Sequence, residues 1–291
     1  MPLLTLKYWI LAARPKTLTA SLAPVIIGLV LASSYINAVN RYAAITILCA
    51  ILIQIGTNIA NDYYDFKKGT DTNKRQGPTR MAQAGLIKPQ TLKQAAILCF
   101  GLAFFFGLIL AFKGGWPILA IGIISIICGF WYTAGPIALA YIGLGDVFAL
   151  LFFGPIAVSG TFYIQTLMLT PLVIKLGIGV GLLATALICV NNIRDVAEDK
   201  QNNKKTLIVR FGVLFGKIEY VCCQILSFYI LYTATSVSPI TLLMLIPYGL
   251  LCCHNCYKLL TKTGEELNTI LSHTGFSILC YALIISISYI Y

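Results

Sequence analysis

Residues 42–71 read YAAITILCAILIQIGTNIANDYYDFKKGTD. The stretch is almost wholly apolar over residues 42–60 and then becomes polar, with Asp62, Asp65 and Asp71 close together. A helix needs about 20 apolar residues to cross the hydrocarbon core of a bilayer. The stretch therefore predicts a transmembrane helix that carries a group of carboxylates at one end.

The rest of the chain has the same apolar character. Of its 291 residues, 58% are hydrophobic and 11% are charged, whereas a soluble domain carries about 25% charged residues. Nine runs are long enough to span a membrane: residues 18–36, 42–60, 92–112, 116–133, 143–165, 172–193, 214–236, 239–257 and 269–290. We therefore predict an all-α, polytopic membrane protein with nine transmembrane helices around a central cavity, forming one domain over residues 1–291.

The distribution of charge predicts how the chain is oriented. All of the 21 basic residues except Arg41, Lys113 and Lys175 fall on the side of the membrane that holds the N-terminus. Cytoplasmic loops carry the excess of lysine and arginine, so the N-terminus and the long polar loops 61–91 and 194–213 are predicted to be cytoplasmic. The C-terminus is then outside. The net charge of +11 is thus interpreted as facing lipid headgroups or an anionic substrate, and no nucleic acid is expected.

The two long polar loops share a layout. Asn58 precedes Asp62 by four residues, Asn191 precedes Asp195 by four, and a pair of lysines follows in each loop. The offset between the two asparagines corresponds to about four spans. Internal repeats with a site at their interface are common in membrane proteins. The layout predicts a duplication of spans 1–4 as spans 5–8, followed by a ninth span.

Each loop brings several oxygen ligands to one helix face. Positions i, i+4 and i+7 of a helix lie on the same side, so each asparagine projects together with the carboxylates that follow it. Carboxylates at the mouth of a membrane helix are costly unless they are paired or coordinated. Two such clusters suit Mg²⁺, which is often shared with substrate phosphates. The basic residues beside both clusters fit an anionic co-ligand, and the apolar helices fit a lipid tail, so a lipid diphosphate is predicted as the substrate.

These motifs resemble a known family. The segments NIANDYYDFKKGTD (58–71) and NNIRDVAEDKQNNKKTLIVRFG (191–212) are similar to the two aspartate-rich motifs of the UbiA superfamily of intramembrane aromatic prenyltransferases. The segments ARPKTLTASLAPVIIG (13–28) and GPTRMAQAGLIKP (77–89) make the chain most similar to the branch that prenylates 1,4-dihydroxy-2-naphthoate. The resemblance covers nearly the whole chain.

The resemblance implies a reaction, a cofactor and a location. It implies Mg²⁺-dependent transfer of a polyprenyl group from polyprenyl diphosphate to 1,4-dihydroxy-2-naphthoate, with loss of the ring carboxylate as CO₂, to give demethylmenaquinone. It also implies a bacterial-type cytoplasmic membrane with the active site facing the cytoplasm. No obligate protein partner is inferred.

The resemblance also implies roles for individual residues. The residues that match the motifs are implied to hold Mg²⁺, directly or through water: Asn58, Asp62, Asp65, Asn191, Asp195 and Asp199. The aspartates among them are implied to be catalytic, with Asp146 and Tyr132 as a general base or orienting groups at the acceptor. The residues implied to bind diphosphate are Lys67, Arg80, Arg194, Lys204, Lys205 and Arg210. Arg14 and Lys16 either meet the carboxylate of the acceptor or anchor the first span.

Two alternatives stay open. The loop after YTAGP (132–136) often carries a basic residue in relatives but reads IALAYIG here, so another aromatic acceptor such as 4-hydroxybenzoate is a second hypothesis. A transporter of a divalent cation or a phosphorylated solute is a more distant one. Transporters place their coupling residues near the membrane midplane, whereas the acids here lie at one end of the spans.

Overall fold

The computed structural model describes residues 2–36, 41–70, 77–135, 138–235 and 239–290. Within these ranges every regular element is a helix. The predicted all-α class is therefore confirmed for the part of the chain that the structure describes. Asp71, which the sequence places in the first acidic cluster, lies outside these ranges.

Thirteen α-helices are present in the described ranges, and seven of them have proline in the first turn. Proline suits that position because its missing N–H would be unpaired there in any case. The helices are α1 (Pro2–Ala13), α2 (Pro15–Ser33), α3 (Tyr42–Lys68), α4 (Pro89–Gly114), α5 (Trp116–Trp131), α6 (Gly145–Phe152), α7 (Pro155–Thr166), α8 (Pro171–Arg194), α9 (Val196–Gln201), α10 (Leu207–Phe211), α11 (Val213–Ala234), α12 (Pro239–Thr261) and α13 (Leu267–Ile290).

Eight helical segments of the described chain are long and apolar enough to cross a membrane: 15–33, 42–68, 89–114, 145–166, 171–194, 213–234, 239–261 and 264–289. The remaining predicted run forms α5, a shorter apolar helix of 16 residues. The chain is thus a multi-pass integral membrane protein. The count of nine spans, the orientation of the termini and the duplication stay predictions.

One predicted span is interrupted. The sequence predicts a single helix over residues 143–165, but α6 ends at Phe152 and α7 begins at Pro155. Proline cannot donate a backbone hydrogen bond and so favours the start of a new helix. Gly154, at the break, lies against α8, where a Cβ atom would come within 2.8 Å of the Gly177 carbonyl oxygen. Small residues permit such close backbone contact between membrane helices.

Helix α8 is the central element of the bundle. Two thirds of its apolar window is buried, and it packs against α2, α6, α7, α11 and α13. Tyr281 of α13 is fully buried and donates a hydrogen bond to the Leu176 carbonyl oxygen (3.3 Å). This packing fixes the position of α8 in the bundle, and the second acidic motif begins at the C-terminal end of this helix.

Candidate active site

A large cavity opens between the helices. It has a volume of about 840 Å³ and is lined mainly by α2 to α8. On α3 the lining runs from Thr46 to Asp65, which is about 28 Å of helix at 1.5 Å per residue. The cavity therefore follows almost the full thickness of a bilayer core. Its wall is apolar along most of this length and polar where α3 and α8 end.

The polar end of the cavity brings the two acidic motifs together. Asp65 of α3 and Asp195 at the end of α8 both line it. Both also line a smaller polar cavity of about 40 Å³, together with Glu198 and Asp199. Asn202 donates a hydrogen bond from its amide to the Thr70 carbonyl oxygen (3.0 Å), so the two motif loops touch directly.

Three of the motif carboxylates at this end are each paired with a cation. The pairs are Asp65 with Arg80 (2.8 Å), Asp195 with Arg194 (2.7 Å) and Asp199 with Lys204 (3.1 Å). Arg194 makes two parallel bonds to Asp195 and a third to Asn268 of α13 (2.7 Å). Such charge-assisted bonds hold carboxylates in fixed orientations. Arg80, Arg194 and Lys204 also line the large cavity, as their predicted role at a diphosphate requires.

Only one of the two carboxylate oxygens of Asp199 forms a hydrogen bond in the described part of the structure. Its Oδ2 atom is buried and has no hydrogen-bond partner among the residues that the structure describes. Burial raises the pKa of this carboxyl group, and the neighbouring Lys204 ammonium opposes the rise. A buried oxygen of this kind is costly unless a further ligand satisfies it.

The oxygen-rich ends of the two motifs fit Mg²⁺. Mg²⁺ takes oxygen ligands, keeps several waters and is commonly bound by one or two carboxylates plus phosphate. In the described part of the chain, however, no three His, Cys, Asp or Glu side chains stand close enough to form a ready-made metal site. The carboxylates face cations instead, so a bound metal would have to replace these ion pairs.

Tyr141 is a site residue that the sequence analysis did not assign. Its hydroxyl donates to Asp65 Oδ1 (3.1 Å) and lies 3.1 Å from the Thr70 hydroxyl. The Lys68 ammonium lies 4.0 Å from the centre of its ring and the Lys204 ammonium 5.9 Å. Cations are attracted to the face of an aromatic ring. An aromatic residue near a helix end can shield a cation but is most often part of an interfacial belt, so the sequence pattern did not favour a role in the site.

Asn61 is a second site residue that the sequence-based prediction did not include. It lines the large cavity, and its side-chain oxygen accepts a hydrogen bond from the Thr133 hydroxyl (2.8 Å). Asn61 precedes Asp65 by four residues, the same spacing that drew attention to Asn58 and Asp62. The signal was therefore present in the sequence.

Asn58 and Asn191 line the cavity as well. The Asn58 amide donates to the Ala13 carbonyl oxygen (2.9 Å) and to the Thr17 hydroxyl (2.9 Å). It thereby holds the junction between α1 and α2, where Arg14 has a left-handed backbone (φ 52°).

Arg14 and Lys16 both line the same cavity as the motif residues. Tyr132 does so too, from the segment that follows α5. Their placement is compatible with contact to an acceptor in the cavity, and their individual roles stay predictions.

Five predicted residues lie elsewhere. Lys67 and Lys205 are exposed, and Arg210 donates to the backbone carbonyls of Lys205 and Ile142. Asp146 is buried in the first turn of α6. Asp62 accepts hydrogen bonds from the backbone of the loop after Arg80. None of Lys67, Lys205, Arg210, Asp146 and Asp62 lines either of the two cavities.

The fold and the cavity together define a class: a multi-pass membrane enzyme whose apolar chamber ends in paired acidic and basic groups suited to a phosphorylated lipid. The sequence pattern of the UbiA prenyltransferase family matches residues 21–271. The chain belongs to this family.

Individual relatives agree with this assignment. The chain is 36% identical over 281 residues to the 1,4-dihydroxy-2-naphthoate octaprenyltransferase of Haemophilus influenzae, covering 92% of this chain and 90% of that protein. It is 39% identical over 223 residues to the enzyme of the same name from Escherichia coli, covering 74% and 71%. Among solved structures, a UbiA homolog from Archaeoglobus fulgidus bound to DMAPP and Mg²⁺ superimposes with a TM-score of 0.65 at 14% identity, covering 96% of this chain and 99% of the other.

Proposed function

We propose that this protein is a 1,4-dihydroxy-2-naphthoate polyprenyltransferase. It would transfer a polyprenyl group from polyprenyl diphosphate to the naphthoate ring, release CO₂ and form demethylmenaquinone. The observation that carries the proposal is the long apolar cavity that ends where the two acidic motifs meet. The named activity of the relatives in Haemophilus influenzae and Escherichia coli supports the choice of acceptor.

Mg²⁺ is the proposed cofactor. The residues best placed to hold it are Asp65, Asp195 and Asp199, which line the polar cavity, with Asn191 nearby on α8. When bound, Mg²⁺ would stabilise the negative charge that develops on the leaving diphosphate. Asn58 and Asp62, which the sequence also predicts as ligands, are left out of this proposed set because their side chains are engaged by backbone groups in this structure.

The cations at the polar end would change partners when substrate binds. Arg80, Arg194 and Lys204 each pair with one motif carboxylate, and all three line the cavity. Phosphate oxygens are strong acceptors for guanidinium and ammonium groups. The diphosphate would therefore accept hydrogen bonds from these three side chains, and the carboxylates would then bind Mg²⁺. Lys67, Lys205 and Arg210 stay predictions as further diphosphate ligands.

The cavity would hold the two organic parts of the reaction. Its apolar wall suits the prenyl chain and excludes water while the allylic C–O bond breaks and the ring carbon forms the new C–C bond. Arg14 and Lys16 are proposed to orient the acceptor carboxylate, because both line this chamber. Tyr132, which also lines it, and the buried Asp146 are proposed to act on the acceptor hydroxyls as orienting group or base.

The proposed location is the cytoplasmic membrane of a bacterium, with the polar end of the cavity facing the cytoplasm. The excess of lysine and arginine on that side of the spans supports this orientation. A single domain built from two related four-span units is proposed as well. It is supported by the matching positions of the motifs at the ends of α3 and α8.

The reaction can be tested with purified protein in detergent. Polyprenyl diphosphate and Mg²⁺ are supplied with either 1,4-dihydroxy-2-naphthoate or 4-hydroxybenzoate, and products are identified by mass. We expect a decarboxylated prenyl-naphthalenediol that is absent when EDTA is added. Prenylated hydroxybenzoate would keep the mechanism but change the acceptor. Folded protein that prenylates neither acid would contradict the proposed function and would make metal or solute transport the next hypothesis to test.

Tyr141→Phe tests the residue that joins the loops at the polar end. The change removes the hydroxyl that donates to Asp65 and leaves the ring that the two lysines face. A hydrogen bond to a charged group is worth about 1.5–3 kcal/mol, so we expect kcat/KM for the diphosphate to fall about tenfold or more. Tyr257→Phe, at an exposed position on α12, is the matched control. Equal activity of the two variants would show that the Tyr141 hydroxyl has no role.

A further inference from the structure

Asp62 has an environment unlike that of Asp65, although both belong to the first motif. Asp62 is buried, with 2% of the residue exposed, and it lines neither of the two cavities. Its Oδ2 accepts the backbone N–H of Met81 (2.8 Å) and its Oδ1 accepts the backbone N–H of Ala82 (3.1 Å). We infer that Asp62 is a positioning residue that holds the loop carrying Arg80, and not a ligand of the metal. This inference rests on the proposed prenyl transfer.

Both oxygens of Asp62 are used by consecutive amides of one loop. Hydrogen bonds from backbone N–H groups to a carboxylate are charge-assisted and stronger than those between neutral groups. Asp62 lines neither cavity, so it could reach a metal ion there only if its side chain turned. That rotation would break at least one of these bonds and leave a buried N–H without a partner, which costs about 1–3 kcal/mol. The carboxylate of Asp65 lacks this constraint, because its partners are side chains that can turn away.

The loop after Arg80 is a closed turn whose position depends on this contact. Leu86 and Ile87 both donate backbone hydrogen bonds to the Met81 carbonyl oxygen (3.0 and 3.2 Å), and Ala84 donates to the Arg80 carbonyl oxygen (3.0 Å). The Met81 side chain is fully buried in a cluster with residues of α1, α3 and α4. The turn is therefore held together by its own backbone hydrogen bonds, and Asp62 fixes its position relative to α3.

Arg80 lies directly before the two amides that Asp62 binds. Its side chain reaches Asp65 Oδ2 at 2.8 Å, the residue is 5% exposed, and it lines both cavities. Asp62 and Asp65 are three positions apart on α3, so they lie on neighbouring parts of the helix surface. Asp62 thus accepts hydrogen bonds from the backbone of the loop, and Asp65 accepts one from the Arg80 guanidinium. A shift of the backbone at residues 81 and 82 would move Arg80 away from the diphosphate.

The test is a double-mutant cycle with Asp62→Asn and Arg80→Ala. Asparagine keeps the size of aspartate but presents one amide N–H₂ group to a backbone N–H, so the pair of contacts cannot persist. We expect Asp62→Asn and Arg80→Ala each to raise KM for polyprenyl diphosphate about tenfold. The double variant should be no worse than Arg80→Ala alone, because two residues that act through one contact are not additive. The Mg²⁺ concentration that gives half-maximal rate should stay unchanged in Asp62→Asn and rise in Asp65→Asn.

A second measurement does not depend on the enzymatic activity of the protein. Hydrogen exchange at the amides of Met81 and Ala82, measured without substrate or metal, should be faster in Asp62→Asn than in the wild type and in Asp65→Asn. Three results would overturn the inference. The first is a double variant whose increase in KM is the product of the two single increases. The others are an increased Mg²⁺ requirement in Asp62→Asn and an Asp62→Asn protein that does not fold. The last would mean that the carboxylate supports the whole bundle and not the position of Arg80. A wild-type protein without prenyl transfer would contradict the proposed function, whereas the exchange result would still decide what holds the loop.

Discussion

Replacing Asp195 by asparagine is expected to lower turnover about 10³-fold or more while the amount of folded protein stays the same. Asp195 lines both cavities and is held by two bonds from Arg194. Asparagine keeps its shape and one acceptor oxygen but removes the negative charge that a divalent ion needs. A group that stabilises charge only in the transition state commonly contributes a factor of about 10²–10³, and loss of the metal adds to this.

The measurement is the rate of product formation over a range of Mg²⁺ concentrations, with folding followed by size-exclusion chromatography in detergent. Glu265→Gln is the matched control, because it also removes one carboxylate but at an exposed position after α12. It should behave as the wild type. An Asp195→Asn protein with normal turnover at limiting Mg²⁺ would remove this residue from the metal site.

Replacing Gly181 by alanine is expected to lower the stability of the folded protein strongly. Gly181 of α8 faces the end of α6, where a Cβ atom would lie 2.3 Å from the Leu150 carbonyl oxygen and 3.0 Å from the Gly154 Cα atom. Both neighbours are backbone atoms, so no side chain can move aside. Overpacking of a buried contact costs about 1–3 kcal/mol and occasionally more, and here it would force α6 and α8 apart.

Gly101→Ala on α4 provides the comparison. A Cβ atom there meets nothing within 4 Å, and alanine is favoured over glycine in a helix by up to about 1 kcal/mol. Thermal unfolding in detergent should give a lower midpoint for Gly181→Ala than for the wild type, and an equal or higher one for Gly101→Ala. Equal midpoints for the two variants would mean that α6 and α8 can separate at little cost.

The helical elements follow closely from local sequence. Each of the nine apolar runs is helical over most of its length in the structure, because hydrophobicity and length decide which segments enter a bilayer. The interruption at Gly154 could not be predicted with the same ease. Pro155 marks a boundary, but the close approach of α8 through Gly177 and Gly181 depends on residues more than 20 positions away.

The two acidic motifs could be found from sequence, but the orientation of each side chain could not. Helical spacing predicts that Asp62 and Asp65 lie on one face, but only Asp65 lines the cavities. The spacing carries no information about the loop at residues 80–87, which meets Asp62 from outside α3. Tyr141 is a similar case, since its contact with Asp65 joins segments 76 residues apart.

Composition and local pattern by themselves determined the class of this protein, its helices and the position of its acidic motifs, because burial in lipid and helical periodicity are properties of neighbouring residues. Only the tertiary structure decided which oxygen atoms face the cavity, which cations pair with them and which aspartate holds a loop. These outcomes depend on contacts between α3, α8 and the loops at their ends. Since those segments are distant in the chain, their meeting is set by packing of the whole bundle.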